Sequence, residues 1–139
     1  MKLMKMTPTV TLIIASAFTL SACAATPIPS PAPGALAVNI LPATDVRIVQ
    51  TSARQDGKNV VVDGQIRRKL HRQRIPNGHI DIEIIDEKGK TIYQSFTSYW
   101  PEILPRAEGR RSSFMTLIPV TAPQGSLVNV KFHSGSHDS

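Results

Sequence analysis

The chain has 139 residues and a mass of 15.2 kDa, enough for one compact domain and not two. A single cysteine excludes an internal disulfide and any cysteine-cluster metal site, and 5% aromatics leave little from which to build a base-stacking surface. The formal charge of +6 is partly carried by the first residues, Lys2 and Lys5, which precede an uncharged apolar run over residues 9–20.

That run is shorter than the roughly 20 residues a membrane span requires. Its length and basic flank are those of a secretory signal over residues 1–22. Leu20-Ser21-Ala22-Cys23 follows, an aliphatic residue, two small residues and the chain's one thiol. Together with the basic start and the apolar run, this order resembles the lipobox of bacterial lipoproteins carrying a type II signal peptide. The resemblance implies cleavage before Cys23, a thioether-linked diacylglycerol on its sulfur, and further acylation of palmitate type at the new amino terminus. Two or more acyl chains anchor stably where one does not. Ala24, rather than Asp, after the cysteine implies the outer membrane of a Gram-negative envelope, facing the periplasm. An ordinary cleaved signal with Cys23 incidental is the alternative. Without residues 1–22 the basic residues fall from sixteen to fourteen against ten acidic ones, a charge of +4. Nucleic acid is not an expected partner.

Residues 23–44 read as a lipidated terminus and a Pro/Ala-rich linker. Pro27, Pro29, Pro31 and Pro33 alternate with small residues and forbid a helix, since each lacks an N–H and restrains the residue before it. Extended polyproline II is favoured, so the segment serves as a spacer off the membrane. Val38, Ile40 and Leu41 are apolar enough to dock as a first strand.

From residue 45 to 139 the hydrophobic period is two, not 3.6. Strands are predicted over 46–51, 60–68, 79–85, 91–98, 112–118 and 127–133. Val60, Val62, Gly64 and Ile66 share one face, and Ile80, Ile82 and Ile84 another. Gln55 to Asn59 and Asp86 to Lys90 are turn clusters, with Gly89 placed for a positive φ. The five prolines beyond residue 44 fall outside these strands, as a sheet requires. Six or seven short strands make the fold class all-β, a small antiparallel β-sandwich. The succession Val-Val-Val-Asp-Gly-Gln-Ile (60–66), Gly-His-Ile-Asp-Ile-Glu-Ile-Ile-Asp-Glu-Lys-Gly-Lys (78–90) and Ser-Phe-Met-Thr-Leu-Ile-Pro (113–119) resembles small immunoglobulin-like or fibronectin-III-like bacterial envelope domains, including the FxLYD type. It implies a binding or assembly module.

Three groups of residues carry candidate functions. Arg67 to Arg74 holds five basic residues in eight. If strand 60–68 pairs with 79–85, Arg67 and Lys69 lie beside Asp81 and Glu83 and are neutralised there. The turn residues His71, Arg72 and Arg74 then stay available to an anionic partner. The loop from Tyr99 has the only tryptophan, and its Tyr99, Trp100, Ile103 and Leu104 are apolar where a loop is expected to be polar. With Arg106, Arg110 and Arg111 it reads as a partner-binding spot rimmed by positive charge, or as a lid over one end of the sandwich. His71, His79, His133 and His137 raise metal binding, with His133 and His137 near each other in sequence but in no recognised ligand spacing. No nucleophile elbow, phosphate loop or His-Glu-x-x-His occurs, and no cofactor is expected. The sequence therefore points to a non-enzymatic, membrane-anchored lipoprotein that binds another envelope protein. A periplasmic metal or small-ligand carrier using the histidines is the alternative, with a small hydrolase third.

Overall fold

Alternating apolar residues close into two facing layers. A computed structural model describes residues 32–70, 77–107 and 109–135. Residues 1–22, expected to be a signal segment, and Cys23, His71, Arg72, Arg74 and His137 lie outside the described residues. Seven strands follow in chain order: β1 (Ala37–Ile40), β2 (Val46–Asp56), β3 (Asn59–Arg68), β4 (Gly78–Ile85), β5 (Thr91–Thr97), β6 (Ser112–Ile118) and β7 (Leu127–Ser134). They form a four-stranded sheet, β1-β7-β4-β5, and a three-stranded sheet, β2-β3-β6. All neighbours are antiparallel except β1 and β7, which run parallel. The fold is an all-β sandwich, as the period-two pattern requires.

The core lies between the layers. β3 contributes Val60, Val62 and Ile66, β6 contributes Phe114 and Ile118, and the other sheet answers with Ile80, Ile82, Ile84, Val128, Val130 and Phe132. Each such side chain contributes about 1.5–3 kcal/mol on burial. At Gly64, opposite Phe114 in the β3–β6 register, the missing side chain leaves room for the phenyl ring.

Two expectations change. β2 runs to Asp56, five residues beyond its predicted end, and only Gly57 and Lys58 are left in the turn. A bulge between Val49 and Ser52 hides this continuity, because the extra residue switches which positions face inward, from Val46 and Ile48 to Ala53. Gln50, inside the bulge, has φ of 50°, a left-handed conformation. The second change is at the edge. Residues assigned to the linker belong to the sandwich, among them Val38 and Ile40, which dock as the first strand their apolar character allowed: Ala35 bridges Arg54 on β2, and β1 then crosses to pair with β7. One segment thus touches both sheets, with an isolated bridge at the β2 edge and a four-residue ladder along β7.

The predicted pairing of β3 with β4 does not occur. β3 lies between β2 and β6, and β4 is in the opposite layer. Arg67 faces Arg47 across the β2–β3 register rather than an acid.

Candidate functional site

The 99–111 loop divides its apolar residues. Tyr99 and Leu104 are 4% and 2% exposed and belong to the core, while Trp100 and Ile103 are 76% and 79% exposed. The Tyr99 ring packs against Phe132, with centroids 6.2 Å apart. Burial pushes its phenol above the ordinary tyrosine range, partly offset by a main-chain hydrogen bond from Gly78. Tyr99 and Leu104, predicted as partner-binding, are therefore the pegs of the lid and offer no surface. Trp100 and Ile103 are what the lid displays.

Trp100 also extends the three-stranded sheet by one residue. Its N–H donates to Ser113 O at 2.7 Å, and Ser113 N–H returns to Trp100 O at 2.8 Å. Pro101 has no N–H, so the pairing stops there. Its carbonyl accepts instead from Ser112 Oγ at 2.7 Å. Because both main-chain groups of Ser113 point away from β3, the alternation of an antiparallel ladder turns those of Met115 and Leu117 the same way. β6 is an edge strand. Among the described residues, the only hydrogen bond to these outward groups is from Thr97 Oγ1 to Met115 O, at 3.4 Å. The Met115 and Leu117 side chains are 70% and 60% exposed. Sequence reasoning took 112–118 as a strand but did not place it at an edge. Met115 and Leu117 could have marked an exposed apolar face, but side-chain alternation does not show which strand lies at an edge.

A cleft of about 330 Å³ opens beside the loop, lined by Arg47, Arg67, Arg68, Lys69 and Arg110 and by the small residues of the 105–109 turn. Arg68 Nε donates to Leu104 O at 2.9 Å, and Lys69 Nζ donates to Ala43 O. Arg47, Arg67 and Arg110 make no ion pair among the described residues. Arg111 is turned elsewhere, donating to Gln50 Oε1 and Gln65 Oε1 at 2.8 and 2.9 Å and bracing the β2 bulge. Arg106 is exposed. The cleft therefore concentrates positive charge, and facing arginines are destabilising by roughly 0.2–1 kcal/mol. Arg47→Thr is expected to raise the unfolding free energy by about that amount, with a smaller gain at high salt, in chemical denaturation at two ionic strengths. A loss of stability would mean that Arg47 is compensated.

On the outer face of the other sheet, Glu83 is held in a polar row. It accepts from Thr91 Oγ1 at 2.6 Å, Asn129 Nδ2 at 3.1 Å and Gln94 Nε2 at 3.4 Å, and Asn39 Nδ2 in turn donates to Asn129 Oδ1 at 3.0 Å. Above all the Thr91 bond, with that from Asn129, holds its carboxyl below the ordinary range. This acid stitches β1, β7, β4 and β5 together. Asp81, two residues before it, sits instead with His79 and His133.

No family model, curated protein or solved structure matches the chain.

Proposed function

We propose that this protein is a non-enzymatic lipoprotein, anchored through Cys23 to the outer membrane, whose sandwich docks another envelope protein along the open edge of β6. The observation that carries the reading is the pair Met115 and Leu117: outward main-chain groups without a strand partner, under exposed apolar side chains, in line with the exposed Trp100. An extended segment of a partner can continue the short strand that Trp100 begins, its main chain supplying affinity and its alternate apolar side chains specificity. Ile103 widens the apolar surface, and the adjacent basic cleft favours a partner with acidic flanks. The immunoglobulin-type reading has support in the strand order. β2-β3-β6 and β7-β4-β5 follow the A-B-E and F-C-C′ plan of such sandwiches, with β1 in the place of strand G but parallel to its neighbour. The anchor rests on the Leu20 to Cys23 motif.

A photo-crosslinking residue at position 117 is expected to give one discrete adduct in cells, lost in Trp100→Ala, while the same residue at Lys58, in the exposed β2–β3 turn, gives none. Absence of an adduct at 117, or equal adducts at both positions, would overturn the edge. Cys23→Ser is expected to abolish acylation and release the protein from membranes, read by fractionation. A variant that still sediments with membranes at the mature size would refute the anchor without touching the edge.

A further inference from the structure

The geometry points to a divalent metal site on the outer face of the four-stranded sheet, formed by His79, Asp81 and His133, with Zn²⁺ as the ion it fits. His79 and His133 are register partners on β4 and β7, the two inner strands of that sheet, and Asp81 lies two residues along β4 on the same face. His79 Nε2 is 2.9 Å from Asp81 Oδ1, and His133 Nδ1 is 3.5 Å from Asp81 Oδ2. One ligand atom from each residue lies within 4.8 Å of the other two. Zinc takes nitrogen and carboxylate oxygen at about 2.0–2.2 Å, so neighbouring donors of a tetrahedral site stand about 3.4 Å apart. The separations of 2.9 and 3.5 Å lie on either side of that value.

Asp81 is paired on both sides, with Phe96 on β5 and Lys131 on β7, and the two histidines pair with each other across β4 and β7. The two imidazoles are neighbours, stacked with centroids 5.1 Å apart and planes 17° from parallel, and binding one ion turns them so that their in-plane lone pairs converge. The Phe96 ring stands edge-on to His79 at 5.4 Å and limits how that imidazole can turn. Two neutral imidazoles and one carboxylate suit a borderline ion such as zinc better than calcium or magnesium, which prefer oxygen donors. Three protein donors leave a fourth position for water or a ligand. Lys131 faces Asp81 across the register, but it is exposed and free to turn to solvent. Glu83 adds negative charge on the same face, although its hydrogen bonds hold it in place. The site is separate from the β6 edge and does not depend on the docking reading.

Calorimetric titration of the purified protein with Zn²⁺ alone tests this. One ion per chain and a raised melting temperature are expected. Asp81→Asn and His79→Ala are each expected to weaken binding by at least the about 10–100-fold typical of losing an outer-shell partner, while His137→Ala binds as the parent does. Asp81→Asn keeps the side chain's size, so loss of binding with an unchanged metal-free melt separates ligation from folding. Absence of stoichiometric binding, or binding that survives His79→Ala and disappears in His137→Ala, would overturn the site in favour of adventitious binding at the tail.

Discussion

Tyr99→Ala is expected to cost about 3–5 kcal/mol of unfolding free energy, whereas Trp100→Ala, one residue on, is expected to stay within about 0.5 kcal/mol. The contrast follows from which face each side chain takes. Tyr99 and Leu104 enter the core, Tyr99 beside Phe132, and truncation there leaves a cavity in addition to the lost burial. Trp100 engages its neighbour through the main chain, which alanine retains, and its indole stands in solvent. For a domain with a typical total of about 5–15 kcal/mol, Tyr99→Ala removes a large share. Chemical denaturation followed by far-ultraviolet circular dichroism checks both variants, since it does not need the tryptophan. The indole itself gives an independent reading: emission of the folded protein is expected to be red-shifted and readily quenched. A blue-shifted, protected Trp100 would place it under the lid and remove it from the docking surface.

Gly64→Val is expected to destabilise the domain by the opposite route, overfilling the core. A Cβ at this position would lie 2.5 Å from Phe114 Cζ, 2.8 Å from Phe114 Cε1 and 2.9 Å from Thr51 Oγ1. The Phe114 ring is itself in the core, so displacing it disturbs other buried side chains. Overpacking of this kind costs about 1–3 kcal/mol or more, and a β-branched residue adds two further carbons to the clash. Combining Gly64→Ala with Phe114→Leu is expected to cost less than the sum of the two single changes, because each relieves the other. Additive costs, measured by urea denaturation, would show that the ring and the glycine do not share this space.

Much of the fold was legible because its signal is local. Inward Ile80, Ile82 and Ile84 alternate without interruption, and β4 lies within one residue of its predicted limits. The turn at Asp86 closes as composition suggests, with Gly89 at φ of 80°. What was illegible was non-local or irregular. The bulge at Gln50 breaks the alternation of β2, so the strand is predicted to end at residue 51 and its last two residues, Gln55 and Asp56, to lie in the turn. Which strand pairs with which is set by packing of whole layers, so Arg67 met Arg47 and not Asp81. β1 lacks a strong strand pattern of its own and takes its structure from the edges it covers. For the candidate site, the exposure of Trp100 and Ile103 and the burial of Tyr99 and Leu104 could not be separated by composition, since all four are apolar. The meeting of His79, Asp81 and His133 required the β4–β7 register, 54 positions apart for the two histidines.

The open edge of β6 can be measured without knowing the partner, by amide hydrogen exchange resolved by residue. In the free protein, the N–H groups of Ser112, Phe114, Thr116 and Ile118 face β3 and are expected to exchange slowly. That of Ser113 is held by Trp100 and is expected to be protected with them. Met115 and Leu117 should exchange fast, in alternation with their slow neighbours. Protection of Met115 and Leu117 equal to that of Phe114 and Thr116 would show that the edge is already covered, and would contradict the docking account at its base.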